Sequence, residues 1–334
     1  MPVELLVYDD MMDGSRARSN VERLITEDKV DFVLSGFGDD CNFPISVVCE
    51  SHRMPYITSM ILDPSYSERG FKYVFVFFFT PETLGEVPID FLTYLKGKVP
   101  NEVAPEKIAI LATSDDLKYA GEHGKKLAEA RGFKVVYHQV YADPGTDDFT
   151  PFIREMMRLG ADVVIDYGHS RDAALLIKQM AEVGFTPKAV IVNNLAYFDV
   201  GFTSGLGKYA NEIFGSGLNI LPRDPEKANE IMEKSKKYYP APASEVIFGY
   251  SAVYMLKQAI ESVGLDREKV RDYIATHEFD FSWLDRPMRF NEKGVAPVRV
   301  PIVGQIIDGT RYNVYPPEVA QKELIYPMTP WEKR

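Results

Sequence analysis

Leu24-Ile25-Thr26-Glu27-Asp28-Lys29-Val30-Asp31-Phe32-Val33-Leu34-Ser35-Gly36 is followed by a short loop, an apolar helix-like run and Met54-Pro55-Tyr56-Ile57-Thr58-Ser59. Further along, Glu155-Met156-Met157-Arg158-Leu159-Gly160-Ala161-Asp162-Val163-Val164-Ile165-Asp166 is followed by Tyr167-Gly168-His169, a second helix-like run and Thr186-Pro187-Lys188-Ala189-Val190-Ile191-Val192. Each stretch reads helix, buried strand, Gly-containing loop, helix, strand, with Asp31 matching Asp162 and Pro55 matching Pro187. Two similar α/β halves in one chain predict a cleft between them, and such clefts are where small ligands bind.

Working outward, 334 residues is long for a single core, so two lobes are expected. A hydrophobic share of 46% and a charged share of 26% are those of an ordinary globular chain. The net charge of -11 argues against nucleic acid or an anionic membrane as partner. The densest apolar run, Tyr73 to Phe79, is strand-length and ends at Thr80-Pro81, so no membrane span is expected. Cys41 and Cys49 would lie over two turns apart on a helix starting near Phe43, too far for a disulfide, and are expected as free thiols.

Helices are marked by apolar spacing: Ala17, Val21, Leu24 and Ile25; Ala173, Leu176, Ile177, Met180 and Ala181; Ala252, Leu256, Ala259, Ile260 and Val263. Gly132, Gly184 and Gly264 stand where C-caps belong. Strand-like runs alternate with them at Val3–Tyr8, Val30–Leu34, Tyr56–Thr58, Lys107–Ala112, Lys134–Tyr141, Ala161–Asp166, Ala189–Val192 and Ile213–Gly217. Alternation of this kind means βαβ units and mostly parallel sheets with helices on both faces. A long helical stretch is predicted over Pro225–Tyr239 and Val246–Val263. Near the end, Met288–Asn291, Val298–Ile307 and Arg311–Tyr315 read as strands, with tight turns at Asn291-Glu292-Lys293-Gly294 and Asp308-Gly309-Thr310.

The sequence carries no P-loop, dinucleotide loop, H-E-x-x-H or G-x-S-x-G elbow, and its histidines lack metal-ligand spacing, so neither a cofactor nor a metal is expected. Gly36-Phe37-Gly38 lacks the third glycine of a nucleotide loop. Asp9-Asp10 could bind a metal, but with Asp13 and Gly14 the pair reads better as a turn and helix cap. His169-Ser170 is a poor nucleophile–base pair, because adjacent residues rarely face each other and no orienting acid is identifiable. Ligands of open α/β sheets sit at the carboxyl ends of the strands, which selects the loops Gly36–Asn42, Ser59–Asp63, Thr113–Tyr119, Tyr167–Arg171 and Asn193–Tyr197. The aromatic run Phe75, Phe77, Phe78 and Phe79 is expected in the core.

Val3-Glu4-Leu5-Leu6-Val7-Tyr8-Asp9-Asp10, the run Asn20 to Asp31, Phe149-Thr150-Pro151-Phe152-Ile153, Ala173 to Met180 and the ending Tyr326-Pro327-Met328-Thr329-Pro330-Trp331 together resemble the branched-chain amino acid ABC transporter substrate-binding proteins. These are type I periplasmic binding proteins of the leucine/isoleucine/valine-binding kind. The resemblance covers nearly the whole chain and implies two Rossmann-like doubly wound lobes joined by a three-crossing hinge. Residues 1–97 and 220–297 would form the first lobe and residues 104–218 and 299–334 the second, with hinges near 97–104, 218–221 and 297–301. The implied function is non-enzymatic: a solute-binding component of an ABC importer closes on a small molecule and delivers it to permease subunits.

The resemblance also implies a βα unit and an export signal upstream of Val3, so the first lobe is expected to be N-terminally truncated and the protein to work in the periplasm or at the cell surface. A family disulfide has no counterpart, since Met12 stands at one matching position. Ligand contacts are implied at Gly38, Asp39, Asp40, Met60 and Ile61 in the first lobe and at Tyr119, Gly168, His169, Asn193 and Asn194 in the second. Leu62 cannot donate a hydrogen bond, and Asp39 and Asp40 would repel a ligand carboxylate. Asn193 and Asn194 fall where the family often has an acid that pairs the ligand amine. The expected ligand range therefore spans amino acids, amides and small carboxylates or aromatic acids. A ligand-sensing regulator of the same fold, acting on a cytoplasmic partner, is the alternative; an enzyme would need a nucleophile or cofactor loop that the sequence does not offer.

Overall fold

The computed structural model describes residues 3–34, 38–58, 63–142, 145–216, 221–238, 245–298 and 301–334. The chain runs α1 (Gly14–Thr26), β1 (Val33–Leu34), α2 (Asp39–Ser51), β2 (Tyr56–Thr58), β3 (Val74–Phe78), α3 (Pro81–Lys98), β4 (Lys107–Thr113), α4 (Leu117–Ala130), β5 (Lys134–Tyr141), α5 (Thr150–Leu159) and β6 (Val163–Tyr167). It continues α6 (Ser170–Val183), β7 (Ala189–Val192), α7 (Asn194–Phe198), α8 (Val200–Leu206), β8 (Phe214–Ser216), α9 (Pro225–Ser235), α10 (Glu245–Val263), α11 (Arg267–Thr276), β9 (Val295–Pro297), β10 (Val303–Ile307) and β11 (Thr310–Tyr315). The repeat read in the sequence is present: α1-β1-α2-β2 and α5-β6-α6-β7 have the same order. The backbone repeats as well. Lys29 (φ 56) and Gly160 (φ 70) are both left-handed after the first helix, and Arg53 (φ 50) and Gly184 (φ 75) are both left-handed after the second. Glycine is the residue suited to that conformation, and the first half does without it.

Two units share the chain. One comprises Met1–Phe79 and Pro222–Val298, the other Thr80–Leu221 and Arg299–Arg334. The first crossing therefore falls at Phe79/Thr80 and not near 97–104. The reason is α3: a Cβ on Gly85 would lie 2.7 Å from Ala120 O and 2.9 Å from Gly124 N. That close backbone approach fixes α3 on α4 and carries it into the second unit.

In the first unit the sheet order is β1-β2-β3-β9, all parallel. Phe75, Phe77, Phe78 and Phe79 are buried, as expected, and the Phe248 ring of α10 meets Phe77, Phe78 and Phe79 at 5.5, 5.5 and 5.3 Å. Asn291 O accepts from Gly294 N (2.9 Å), closing the expected tight turn into β9. Two sequence expectations fail here. Val3–Tyr8 is not a strand: no ladder pairs it among the described residues, and Val3, Leu5 and Val7 are 88%, 77% and 77% exposed. Apolar alternation makes a strand only where a neighbouring edge supplies backbone partners. Met288–Asn291 is not a strand either; Met288 makes an isolated bridge to Phe279, and Phe290 is instead spent in the core against Phe75 at 5.1 Å.

In the second unit the sheet order is β11-β10-β8-β7-β6-β4-β5. The five strands from β8 to β5 are parallel to one another, and β10 and β11 are added antiparallel. Asp308 (φ 52) and Gly309 (φ 74) form the two-residue turn between Ile307 and Thr310 that the sequence predicted. Tyr197 lies flat where β8 and β10 carry registered glycines: a Cβ on Gly215 would sit 1.9 Å from its ring and one on Gly304 2.8 Å from its hydroxyl.

Candidate functional site

In the first unit α2 starts just beyond the carboxyl end of β1, so Gly38, Asp39 and Asp40 form the start of a helix and not a free loop. Gly38 is the N-cap (φ 90), and both aspartates lie in the first turn. Carboxylates are favourable there because the unpaired N–H groups carry partial positive charge. Asp39 Oδ2 accepts from Asp63 N at 3.2 Å, tying this turn to the segment after β2. One turn on, Asn42 is buried and its Oδ1 accepts from Tyr56 Oη at 2.5 Å, which joins α2 to β2. Met60 and Ile61 lie outside the described residues. Asp9 and Asp10 behave as turn formers: Asp9 Oδ1 accepts from Met11 N at 2.8 Å, Asp10 Oδ1 from Met12 N at 2.9 Å, and Asp13 caps α1.

The second unit has the richer constellation, at the carboxyl ends of β4, β6, β7 and β8. Asp115, just past β4, accepts from Leu117 N at 3.1 Å and from the Thr113 hydroxyl. Its Oδ2 lies 2.6 Å from His169 Nε2, so the sequence expectation that His169 lacks an orienting acid is corrected. Burial pushes the Asp115 carboxyl up, but the hydrogen bonds from His169 and Thr113 outweigh it and hold the group below its usual range. The pair clamps the β4 and β6 ends together. Tyr119, the other residue expected on this side, is half-buried in the first turn of α4 with the Lys118 ammonium 4.7 Å from its ring centroid.

Strand alternation sorts the remaining residues. Asp166 registers with Val192, so Tyr167 and Asn193 share the opposite face; Val192 registers with Gly215, which puts Ser216 beside Asn193 on that same face. This is the face covered by α3 and α4, since the Tyr167 ring packs by Gly121 and Gly124 and its hydroxyl donates to Gly85 O at 3.4 Å. Asn193 and Ser216 are each 1% exposed, and Asn193 Nδ2, Asn193 Oδ1 and Ser216 Oγ have no hydrogen-bond partner among the described residues. Asn194 opens α7.

On the other face Asp166 is fully buried, with Tyr141 Oη donating to Oδ1 at 3.2 Å and Oδ2 unpartnered among the described residues. Burial pushes this carboxyl up to about 7; the tyrosine hydrogen bond works against the rise and the charge of Asp172 adds to it. Gly168 makes room for the pair, for its Cβ would stand 2.0 Å from Tyr141 Oη and 2.8 Å from Asp166 Oδ2. Sequence reasoning reached Asp115 only as one position of the loop Thr113–Tyr119 and did not select Asp166 or Ser216. The strand-end rule that chose Asn193 reaches Ser216 as well, at the end of the predicted strand Ile213–Gly217; only the registered pairing shows that the two are neighbours.

Among the described residues no group of three or more His, Cys, Asp or Glu side chains could hold a metal ion, and no helix is long and apolar enough to cross a membrane. The architecture has solved counterparts. A putative branched-chain amino acid ABC transporter from Silicibacter pomeroyi superposes with a TM-score of 0.82 at 18% identity, over 99% of this chain and 89% of that one. Sequence relatives include an amino acid binding protein of Pseudomonas aeruginosa, 23% identical over 94% of this chain and 82% of its own length. A Leu/Ile/Val-binding protein homolog of Brucella suis is 24% identical over 87% of this chain and 76% of its own. The family model for periplasmic binding proteins matches residues 1–307. The chain belongs to the periplasmic binding protein family, and it is a binding protein, not an enzyme.

Proposed function

We propose that this protein is the solute-binding component of an ABC importer. It captures a small polar or amphipathic molecule with groups at the carboxyl ends of its parallel strands and delivers it to permease subunits, working in the periplasm or at the cell surface. The observation that carries this reading is the set of buried polar atoms of Asn193 and Ser216, each 1% exposed and without a partner among the described residues, at strand ends. Buried polar groups are nearly always hydrogen-bonded, and leaving one unmet costs about 1–3 kcal/mol. A solute that supplies the missing partners recovers that cost as binding energy. The relatives named as amino acid and Leu/Ile/Val-binding proteins support a small organic solute. Asp39 and Asp40, two carboxylates in the first turn of α2, would repel a solute carboxylate, which supports a range beyond standard amino acids.

A thermal-shift screen of the full chain against amino acids, amides, small carboxylates and aromatic acids tests this. A true solute at 100 times its Kd stabilises by about 2.7 kcal/mol, and a chemically related subset of the panel is expected to raise Tm. A panel in which no compound moves Tm contradicts the proposal.

A further inference from the structure

We infer that Asn193 and Ser216 select a neutral solute group that both donates and accepts, a primary carboxamide or a urea, over an ammonium or a carboxylate. The inference rests on the solute-binding reading above and names its chemistry. Asn193 is fixed at the end of β7, where its N–H donates to Asp166 O at 2.8 Å and its carbonyl accepts from Tyr197 N at 3.2 Å. Its backbone is therefore fully used, and the side-chain amide is left to find partners elsewhere. Nδ2 offers donors and Oδ1 an acceptor from one planar group, and neither has a partner among the described residues.

The pairing rules follow from that geometry. An ammonium has donors only: it would satisfy Oδ1 and leave Nδ2 buried and unmet. A carboxylate has acceptors only: it would satisfy Nδ2 and set its charge against Oδ1. A carboxamide or urea presents N–H and C=O side by side and meets both in a two-point pair. Ser216 Oγ, beside Asn193 on the same face, can donate to the solute carbonyl or accept from its N–H. Neither side chain carries a charge, so nothing in the pair offsets the desolvation of an ionic group. A site built to hydrogen-bond a group discriminates strongly against analogues that lack it, because its own buried atoms go unpaired.

Calorimetric titration of the full chain with acetamide, propionamide and urea, against leucine, valine and propionate, tests the inference. At least one amide or urea is expected to bind about tenfold or more tightly than every amine or carboxylate in the panel, by the penalty of a single unmet buried group. Asn193→Asp replaces the donor by a second acceptor and should weaken amide binding about tenfold while improving leucine and valine. Ser216→Ala should weaken the amide by a smaller factor. Circular dichroism of each variant separates a lost site from a lost fold, and the wild-type ranking needs no variant. Wild-type preference for leucine or valine, or an Asn193→Asp variant that is folded and keeps the wild-type ranking, overturns the inference while leaving a solute-binding protein. Failure of every amide and of urea overturns the inference; only if the wider thermal-shift panel is also flat does the solute-binding reading fall with it.

Discussion

Lys29 and Arg53 show how the repeat diverged at single residues. Both stand in the left-handed region where their counterparts Gly160 and Gly184 bear no side chain. An L-residue pays about 1–2 kcal/mol in that conformation. Lys29 is exposed, so little packing is lost with its side chain. Lys29→Gly should stabilise the protein by about 0.5–1 kcal/mol in urea melts, whereas Lys29→Ala, which keeps the strain, should not. Destabilisation by glycine there would refute the assignment.

The cysteines behave as their burial dictates. Burial, aided by Asp10, pushes the Cys41 thiol up to about 11, and burial raises Cys49 further. Neither should react appreciably with a thiol reagent at pH 8 in the native protein, and both should react after denaturation. Fast native labelling would contradict this.

Asp166 gives a pH dependence. Its folded value of about 7 lies above the ordinary carboxylate value near 4, so the folded chain holds a proton that the unfolded chain has released. Its contribution to stability is complete below pH 4 and is lost as pH rises through 7. Tyr141, Asp172 and His169 face it: the Tyr141 hydrogen bond and the His169 charge lower its proton affinity, and the Asp172 charge raises it. Asp166→Asn should gain stability over the wild type by on the order of 2 kcal/mol between pH 5 and pH 8, measured by denaturant melts at both. A difference that stays flat with pH would contradict a proton on Asp166 that is lost between pH 5 and pH 8.

At the scale of elements, β8 and β10 depend on what their glycines leave empty. The Tyr197 ring occupies the space of a Gly215 side chain, with Cγ, Cδ2 and Cδ1 at 1.9, 2.1 and 2.4 Å from where its Cβ would stand. Gly215→Ala should cost about 1–3 kcal/mol or more, or prevent the second unit from folding, while Gly205→Ala, whose Cβ meets nothing within 4 Å, should be nearly neutral. Equal effects would mean the ring is free to move. Element identity was largely legible in the sequence because periodicity, caps and turn residues are local. Gly184 caps α6 and Asp308-Gly309 turns β10 into β11 as read. Val3–Tyr8 was misread because its pattern is local while pairing is not, and α11 went unremarked between the stronger signals of α10 and the Asn291 turn. The close approach of α3 to α4 at Gly85 was likewise invisible, since a packing glycine looks the same in sequence as any other.

At the scale of the whole molecule, the repeat announced the fold, and the family match over residues 1–307 agrees with it. The site was legible only by position. Strand ends named Asn193 and His169, but Ser216, the neighbour of the first, and Asp115, the partner of the second, come from other strands, and only tertiary register brings them together. A solute-binding protein of the proposed kind holds one small solute and leaves it chemically unchanged. Calorimetric titration with the compound that most raises Tm, followed by mass spectrometry of the released solute, tests it most directly. Saturation at one solute per chain with the solute recovered intact is the predicted result; no saturable binding, or recovery of a converted product, would contradict it.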